Sequence, residues 1–208
     1  MTSREAILAR IRTSLGRIPG EAPPPPPPVP LHPGSIPVAD RIATFSSRFE
    51  ALAGKVYVVE TPAEAGDCLR AIVAARSAIS ANHPFLEACG VESGTGEPGR
   101  LREACATAGV GITSADYALA ATGTLVMLAG PSNPRLVSLL PPAHVAILPV
   151  SSILSDMDEL MLTIPDPARL SSSMVFITGP SRTADIEQML VRGVHGPGEI
   201  HAILVRRQ

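Results

Sequence analysis

Apolar positions along the chain follow two rhythms. At the amino end Ile7, Leu8, Ile11 and Leu15 recur at three- and four-residue spacing, the stripe of an amphipathic helix over residues 2–15. Thr2 and Glu5 have capping-box spacing at its start, and Gly16 is a natural stop. From Val38 onward, helical stretches alternate with short apolar runs rich in β-branched residues. "ADRIATFSSRFEALAG" predicts a helix ending at Gly54, "KVYVVE" a strand, and "TPAEAGDCLRAIVAAR" a helix with Thr61 as N-cap and Pro62 in its first turn. "SAISA" reads as a strand, "EPGRLREACATAG" contains a helix, and "VGIT" and "GTLVMLAG" are strands. A short helix "PRLVSLLP", a strand "HVAILPV", a helix "SSILSDMDELMLTI" and a strand "MVFIT" come next. The helix "ADIEQMLVRG" and the strand "IHAILV" close the pattern. Such alternation predicts an α/β fold: a mixed, mostly parallel sheet in three layers, covered by helices.

Between the two rhythms lies "RIPGEAPPPPPPVPLHPGSIP". Consecutive prolines form neither a helix nor a central strand, so the stretch reads as a stiff polyproline II spacer; an SH3-type ligand is the alternative. The expected organisation is an N-terminal helix (1–16), a Pro-rich linker (17–37) and one α/β domain (38–208). The first helix reads either as a docking element, for self-association through residues 2–15 or for another subunit, or as a membrane-surface or transit segment.

Composition narrows the function classes. The 208 residues are 45% hydrophobic and only 17% charged, with a formal charge of −2, which supplies no attraction toward nucleic acid. No apolar run approaches the ~20 residues of a transmembrane helix. Cys68, Cys89 and Cys105 stand far apart, so neither an iron–sulfur nor a zinc ligand set is expected, and the setting expected is the reducing cytoplasm. The basic residues are arginines except Lys55, a compositional bias that weakens any argument from a given Arg.

Three stretches carry candidate chemistry. "ITGPSRTADIE" reads as a strand turning into a helix, with Gly179, Pro180, Ser181, Arg182, Thr183 and Asp185 at the junction. Free helix N–H groups, two hydroxyls and a guanidinium there suit a phosphate or carboxylate; the plainer reading is a helix cap with a solvated Arg. Thr122, Gly123 and Thr124 make a small-residue turn before "TLVM". The link from "VGIT" is shorter than a parallel crossover needs, so these strands are expected to be antiparallel neighbours; if "VGIT" runs parallel to "MVFIT", both loops open on one edge of the sheet, and the plainer reading is a tight turn with no ligand. His195 and Gly196 lie in a glycine-rich loop and join that pocket if the last strand is antiparallel. Arg135 could reach a ligand or simply cap a helix. Asp156, Asp158 and Glu159 read as dipole complement in a first turn rather than as metal ligands.

Taken together, "REAILARIRTSLGR", "ADYALAATGTLVM", "RLVSLLPPAHVAILP" and above all "ITGPSRTADIEQMLVRGVHGP" resemble the LUD-domain family, of the lactate utilization protein C (LutC/YkgG) type. One departure is Ala121, where that family often carries an acidic residue before Thr-Gly-Thr. The resemblance implies a fold similar to the phosphosugar-isomerase and CoA-transferase (NagB/RpiA-like) group. It also implies work with two iron–sulfur partner proteins in oxidising L-lactate to pyruvate, this chain binding a small anionic substrate or cofactor. A stand-alone isomerase or transferase acting on a phosphorylated or acyl substrate, and a non-catalytic scaffold, are the competing expectations.

Overall fold

The computed structural model describes residues 2–16, 22, 25, 27–34, 36–92, 94, 98–183 and 191–207. They fall into two compact units, 1–30 and 31–208. The first contains α1 (Ser3–Ser14), which has the expected capping box: Thr2 Oγ1 accepts from the Glu5 amide, and Glu5 Oε2 accepts from the Thr2 amide. Ile7, Ile11 and Leu15 are all exposed. The proline run lies partly outside the described residues.

The second unit begins inside the expected linker: the His32 amide donates to Asp158 and the Ile36 amide to Ser155 Oγ. Its elements are α2 (Val38–Ala51), β1 (Lys55–Val59), α3 (Pro62–Val73), β2 (Ala78–Ser80), α4 (Pro84–Ala88), α5 (Leu101–Thr107), β3 (Val110–Ser114), β4 (Tyr117–Leu119) and β5 (Thr124–Leu128). Then come α6 (Arg135–Leu139), β6 (Ala143–Pro149), β7 (Ile153–Leu154), α7 (Met157–Thr163), α8 (Pro167–Leu170), β8 (Met174–Ile177), β9 (Arg182–Thr183), β10 (Val191–Arg192) and β11 (Glu199–Val205). Thr61 caps α3 through its side chain, as expected.

A five-stranded sheet, ordered β1-β11-β6-β3-β2, is parallel throughout. This is the mostly parallel α/β sheet that the alternating pattern predicts. Its strands are apolar on both faces because both are covered. Ala143, Val145, Ile147 and Ile203 pack with Ala65 and Leu69 of α3 and Leu86 of α4. Ala146, Leu148, Ala202 and Leu204 face the other way, toward Phe45 and Phe49 of α2 and toward a second sheet, ordered β7-β4-β5-β8.

Three expectations fail at this second sheet. The strands "VGIT" and "TLVM" are not neighbours: β3 pairs with β2 and β6, whereas β5 pairs antiparallel with β4 and β8. The short link between them holds a strand of its own. Asp116 takes the chain out of the parallel sheet, its amide donating to the Val126 carbonyl and its carboxylate accepting from the Leu128 amide at 2.7 Å, and β4 then pairs with β5. The helix expected from Ser151 starts only at Met157, because Ile153 and Leu154 are buried as β7 against β4 and Asp156 is the N-cap of α7. The turn into a helix at Thr183 is instead strand β9, paired with β10. The rest of the helix expected from Ala184, residues 184–190, lies outside the described residues.

Candidate functional site

The loop between β8 and β9 and the loop before β11 meet through backbone hydrogen bonds. The Ser181 amide donates to the Pro197 carbonyl at 2.9 Å, and the Gly193 amide donates to the Ser181 carbonyl at 3.0 Å. The His195 amide donates to Ser181 Oγ at 3.3 Å. Together they border a cavity of about 160 Å³ lined by Thr178, Gly179, Ser181, His195 and Gly196, with Ile177 and Ile200 as its apolar wall. Small-molecule pockets usually run to ~300–1,000 Å³, so this one suits a ligand of few heavy atoms.

A row of hydroxyls continues from this cavity. Thr178 Oγ1 lies 3.0 Å from Thr124 Oγ1, which lies 2.7 Å from Thr122 Oγ1. The antiparallel pairing of β5 and β8 sets this contact, because Leu125 stands opposite Ile177 and the residues just beyond face each other. Both turns press on the C-terminal end of α2. Gly123 has φ +64, and a Cβ there would lie 2.5 Å from the Phe49 amide nitrogen; at Gly179, φ +115, it would lie 3.1 Å from Leu52 Cβ. Glycine alone combines such φ values with so close an approach. Arg182 is exposed and donates through Nη2 to the Leu52 carbonyl, which ties the loop to the same helix end.

The expected residues therefore gather in part, and not by the expected route. Gly179, Ser181, His195 and Gly196 share the cavity, Pro180 is buried beside them, and Thr122 and Thr124 reach it through Thr178. His195 joins although β11 is parallel, contrary to the condition set from the sequence. The reason is that β8 belongs to the second sheet, so its end does not mark the carboxyl edge of the first. The cavity lies instead near the amino ends of β6 and β11, where the Gly198 amide donates to the Pro142 carbonyl. Arg135 is elsewhere: it lines a separate cavity of about 510 Å³ with Gly130, Pro131, Ser172 and Ser173. Asp185 lies outside the described residues, and of Thr183 the structure gives the strand backbone.

Asp156 and Glu159 act as the first-turn reading expects. Asp156 accepts from the Glu159 amide at 3.0 Å, and Glu159 accepts from the Ser155 amide at 2.6 Å and pairs with Arg41 at 2.9 Å. Among the described residues no group of His, Cys, Asp or Glu is placed to hold a metal ion, and no helix is long and apolar enough to cross a membrane. Burial pushes the thiols of Cys68, Cys89 and Cys105 up, that of Cys89 to about 11, so none is poised as a thiolate.

Read from the sequence, His144 is a packed histidine at the start of a strand, which the structure bears out; His201 has no partner pattern, and Thr178 is passed over. Thr178, which joins the two turns, shows itself only once β5 and β8 are paired. His144 is fully buried between the sheets, with Nε2 2.8 Å from Thr113 Oγ1. His201 is buried on the opposite face, bonded to Glu199 and Tyr57. The alternation of Lys55 with Tyr57 and of Glu199 with His201 along two strands is the signal that could have revealed this last cluster.

Residues 95–205 match the LUD domain. Among named proteins, lactate utilization protein C of Halalkalibacterium halodurans is 49% identical over 102 residues, 47% of this chain and 44% of that protein. Lactate utilization protein C of Bacillus subtilis is 44% identical over 102 residues, 47% of this chain and 42% of that protein. The chain thus spans less than half the length of these relatives. Among solved structures, a DUF162 family protein from Deinococcus radiodurans superposes with a TM-score of 0.63 at 18% identity, covering 82% of this chain and 99% of that one. The two share a fold.

Proposed function

Because the chain belongs to the LUD-domain family, we propose that it is a component of a lactate-utilising system and that the Ser181–His195 cavity holds a small anion. The ligand that suits it is the carboxylate of lactate or pyruvate. Relatives named lactate utilization protein C support the pathway. The observation that supports the site is the junction of two loops, 14 residues apart between Ser181 and His195, that brings both residues to the border of one small cavity. Thr178 lines it and Thr124 bonds to Thr178, and in this reading the exposed Arg182, next to Ser181 in the chain but bonded to the Leu52 carbonyl rather than lining the cavity, supplies positive charge. In this proposal the chain binds and orients the organic anion. The electrons leave through iron–sulfur partner proteins, and the work is done in the cytoplasm.

Calorimetric titration of the purified chain with lactate, pyruvate and phosphate tests the reading. A charge-assisted hydrogen bond contributes roughly 1.5–3 kcal/mol, so Arg182→Ala is expected to weaken binding by about 10- to 150-fold. Unchanged affinity in both Arg182→Ala and Ser181→Ala would remove the anion site. Turnover of a sugar phosphate or an acyl-CoA by the chain alone would replace the pathway assignment with an isomerase or transferase role.

A further inference from the structure

A second polar cluster stands on the other face of β11. In the parallel pair of β1 and β11, Lys55 lies opposite His201. Strand alternation puts Lys55 and Tyr57, and Glu199 and His201, on the face covered by α3. These residues and Arg76 border a cavity of about 300 Å³, floored by Cys68, Ala71 and Ile72 of α3. Ile200, which lines the Ser181 cavity, points to the opposite side of the sheet.

The hydrogen bonds fix which atoms are free to meet a ligand. Glu199 Oε1 accepts from Lys55 Nζ at 2.9 Å and from His201 Nε2 at 2.8 Å, while Oε2 accepts from Arg76 Nη1 at 3.1 Å. The hydrogen bond from Lys55, followed by that from His201, holds the Glu199 carboxyl down at about 2, so it is ionised and can only accept. His201 therefore carries its proton on Nε2. Its ring is buried, and burial keeps it neutral, which leaves Nδ1 a lone-pair acceptor. Tyr57 Oη, 3.2 Å from Nδ1 and with its ring stacked on the imidazole, must then donate into His201. The phenol oxygen has only lone pairs left to offer. Arg76 spends three of its five N–H groups on Glu199 and on the carbonyls of Ile72 and Val73, which pin its guanidinium against the end of α3. Lys55 spends one of its three on Glu199, its hydrogen-bond partner among the described residues, and its ammonium is held at that one point.

The cavity thus offers a cation with donors to spare beside an oxygen that can only accept, over an apolar floor. Two cations against one carboxylate leave it net positive. We propose that this cavity binds a small hydroxy acid, with the carboxylate on the Lys55 ammonium and the hydroxyl donating to Tyr57 Oη. Lys55 is also the sole lysine of a chain whose other basic residues are arginines. A compact ammonium can turn a spare N–H toward a ligand while keeping its bond to Glu199. The inference does not depend on the Ser181 cavity.

The sole lysine makes the test specific. Protein labelled with ¹³C-lysine gives one set of side-chain signals, followed during titration with L-lactate, pyruvate (a keto oxygen on C2, no hydroxyl donor) and propionate (no oxygen on C2). The expected result is a saturable shift with lactate at about 5-fold higher affinity than with the other two, the worth of one neutral hydrogen bond. Tyr57→Phe is expected to erase that preference while leaving the fold intact. Lys55→Met, compared by calorimetry with its parent in a Ser181→Ala background that removes the other cavity's contribution, is expected to weaken all three by about 10- to 100-fold. If Lys55→Met does not fold, the Tyr57→Phe comparison decides the matter. The proposal is overturned if the Lys55 signals do not move, if lactate and pyruvate bind alike in parent and Tyr57→Phe proteins, or if Ser181→Ala abolishes the Lys55 shift. The last result would locate the ligand in the other cavity.

Discussion

His144 makes the fold's stability depend on pH in a way that can be worked out in advance. Its ring lies between the two sheets, with Thr113 Oγ1 as its hydrogen-bond partner and Nδ1 unpaired among the described residues. Loss of hydration, and secondarily the nearness of His201, pull its pKa from 6.5 down to about 3. In the unfolded chain the same ring takes up a proton below about pH 6.5. Between these values the unfolded state binds the extra proton, so stability is full at neutral pH and falls as the pH is lowered. The slope is about 1.4 kcal/mol per pH unit, and going from pH 6.5 to pH 5 removes roughly 2 kcal/mol. For a chain of this size that lowers Tm by roughly 4–8 °C. His201, also held low mainly by burial, adds to the slope in the same direction. The His144 share is therefore read as a difference, by comparing thermal melts of the parent and of His144→Gln at pH 7 and pH 5. The variant is expected to be less stable at pH 7 but to lose less on acidification. Equal losses in the two proteins would refute the buried, neutral assignment of His144.

Gly123→Ala forces a Cβ against the α2 backbone at a positive φ and should cost at least about 1 kcal/mol in a melting experiment, without a change in pH dependence. Thr61→Ala removes the α3 N-cap and should cost about 1 kcal/mol, leaving ligand affinity untouched. Removing residues 1–30 should leave the melting transition in place, because they form a compact unit of their own. Removing residues 1–37 should lower it, because Ile36 packs against the core of the second unit and its carbonyl accepts from Arg41. A melt that treats the two truncations alike contradicts that boundary.

Much of this architecture is legible in the sequence. The capping box at Thr2, the Thr61-Pro62 start of α3 and the apolar runs of β6 and β11 rest on local pattern, and the structure has each of them. The second sheet was not legible. Tyr117–Leu119 is three residues long, and Ile153–Leu154 is two, too short for period-two alternation to register; the first takes its strand character from pairing with β5 and β7, the second from pairing with β4. Missing them led to pairing β3 with β5 and to a condition on the last strand that the site does not obey. The site residues themselves were visible as glycine, serine and threonine clusters around His195. Their meeting depends on which sheet β8 joins, and Arg135 marks the limit of local pattern: residue type and nearness in sequence did not place it at the cavity.

The most direct test of the Ser181–His195 site is a backbone amide NMR titration with lactate or phosphate. The Ser181, Gly193, His195 and Gly196 amides are expected to shift together and saturably, with one affinity, and to stop responding in Ser181→Ala while that variant still melts cooperatively. Amides at these positions that stay unmoved in a folded protein, as ligand is raised through the millimolar range, would contradict the site.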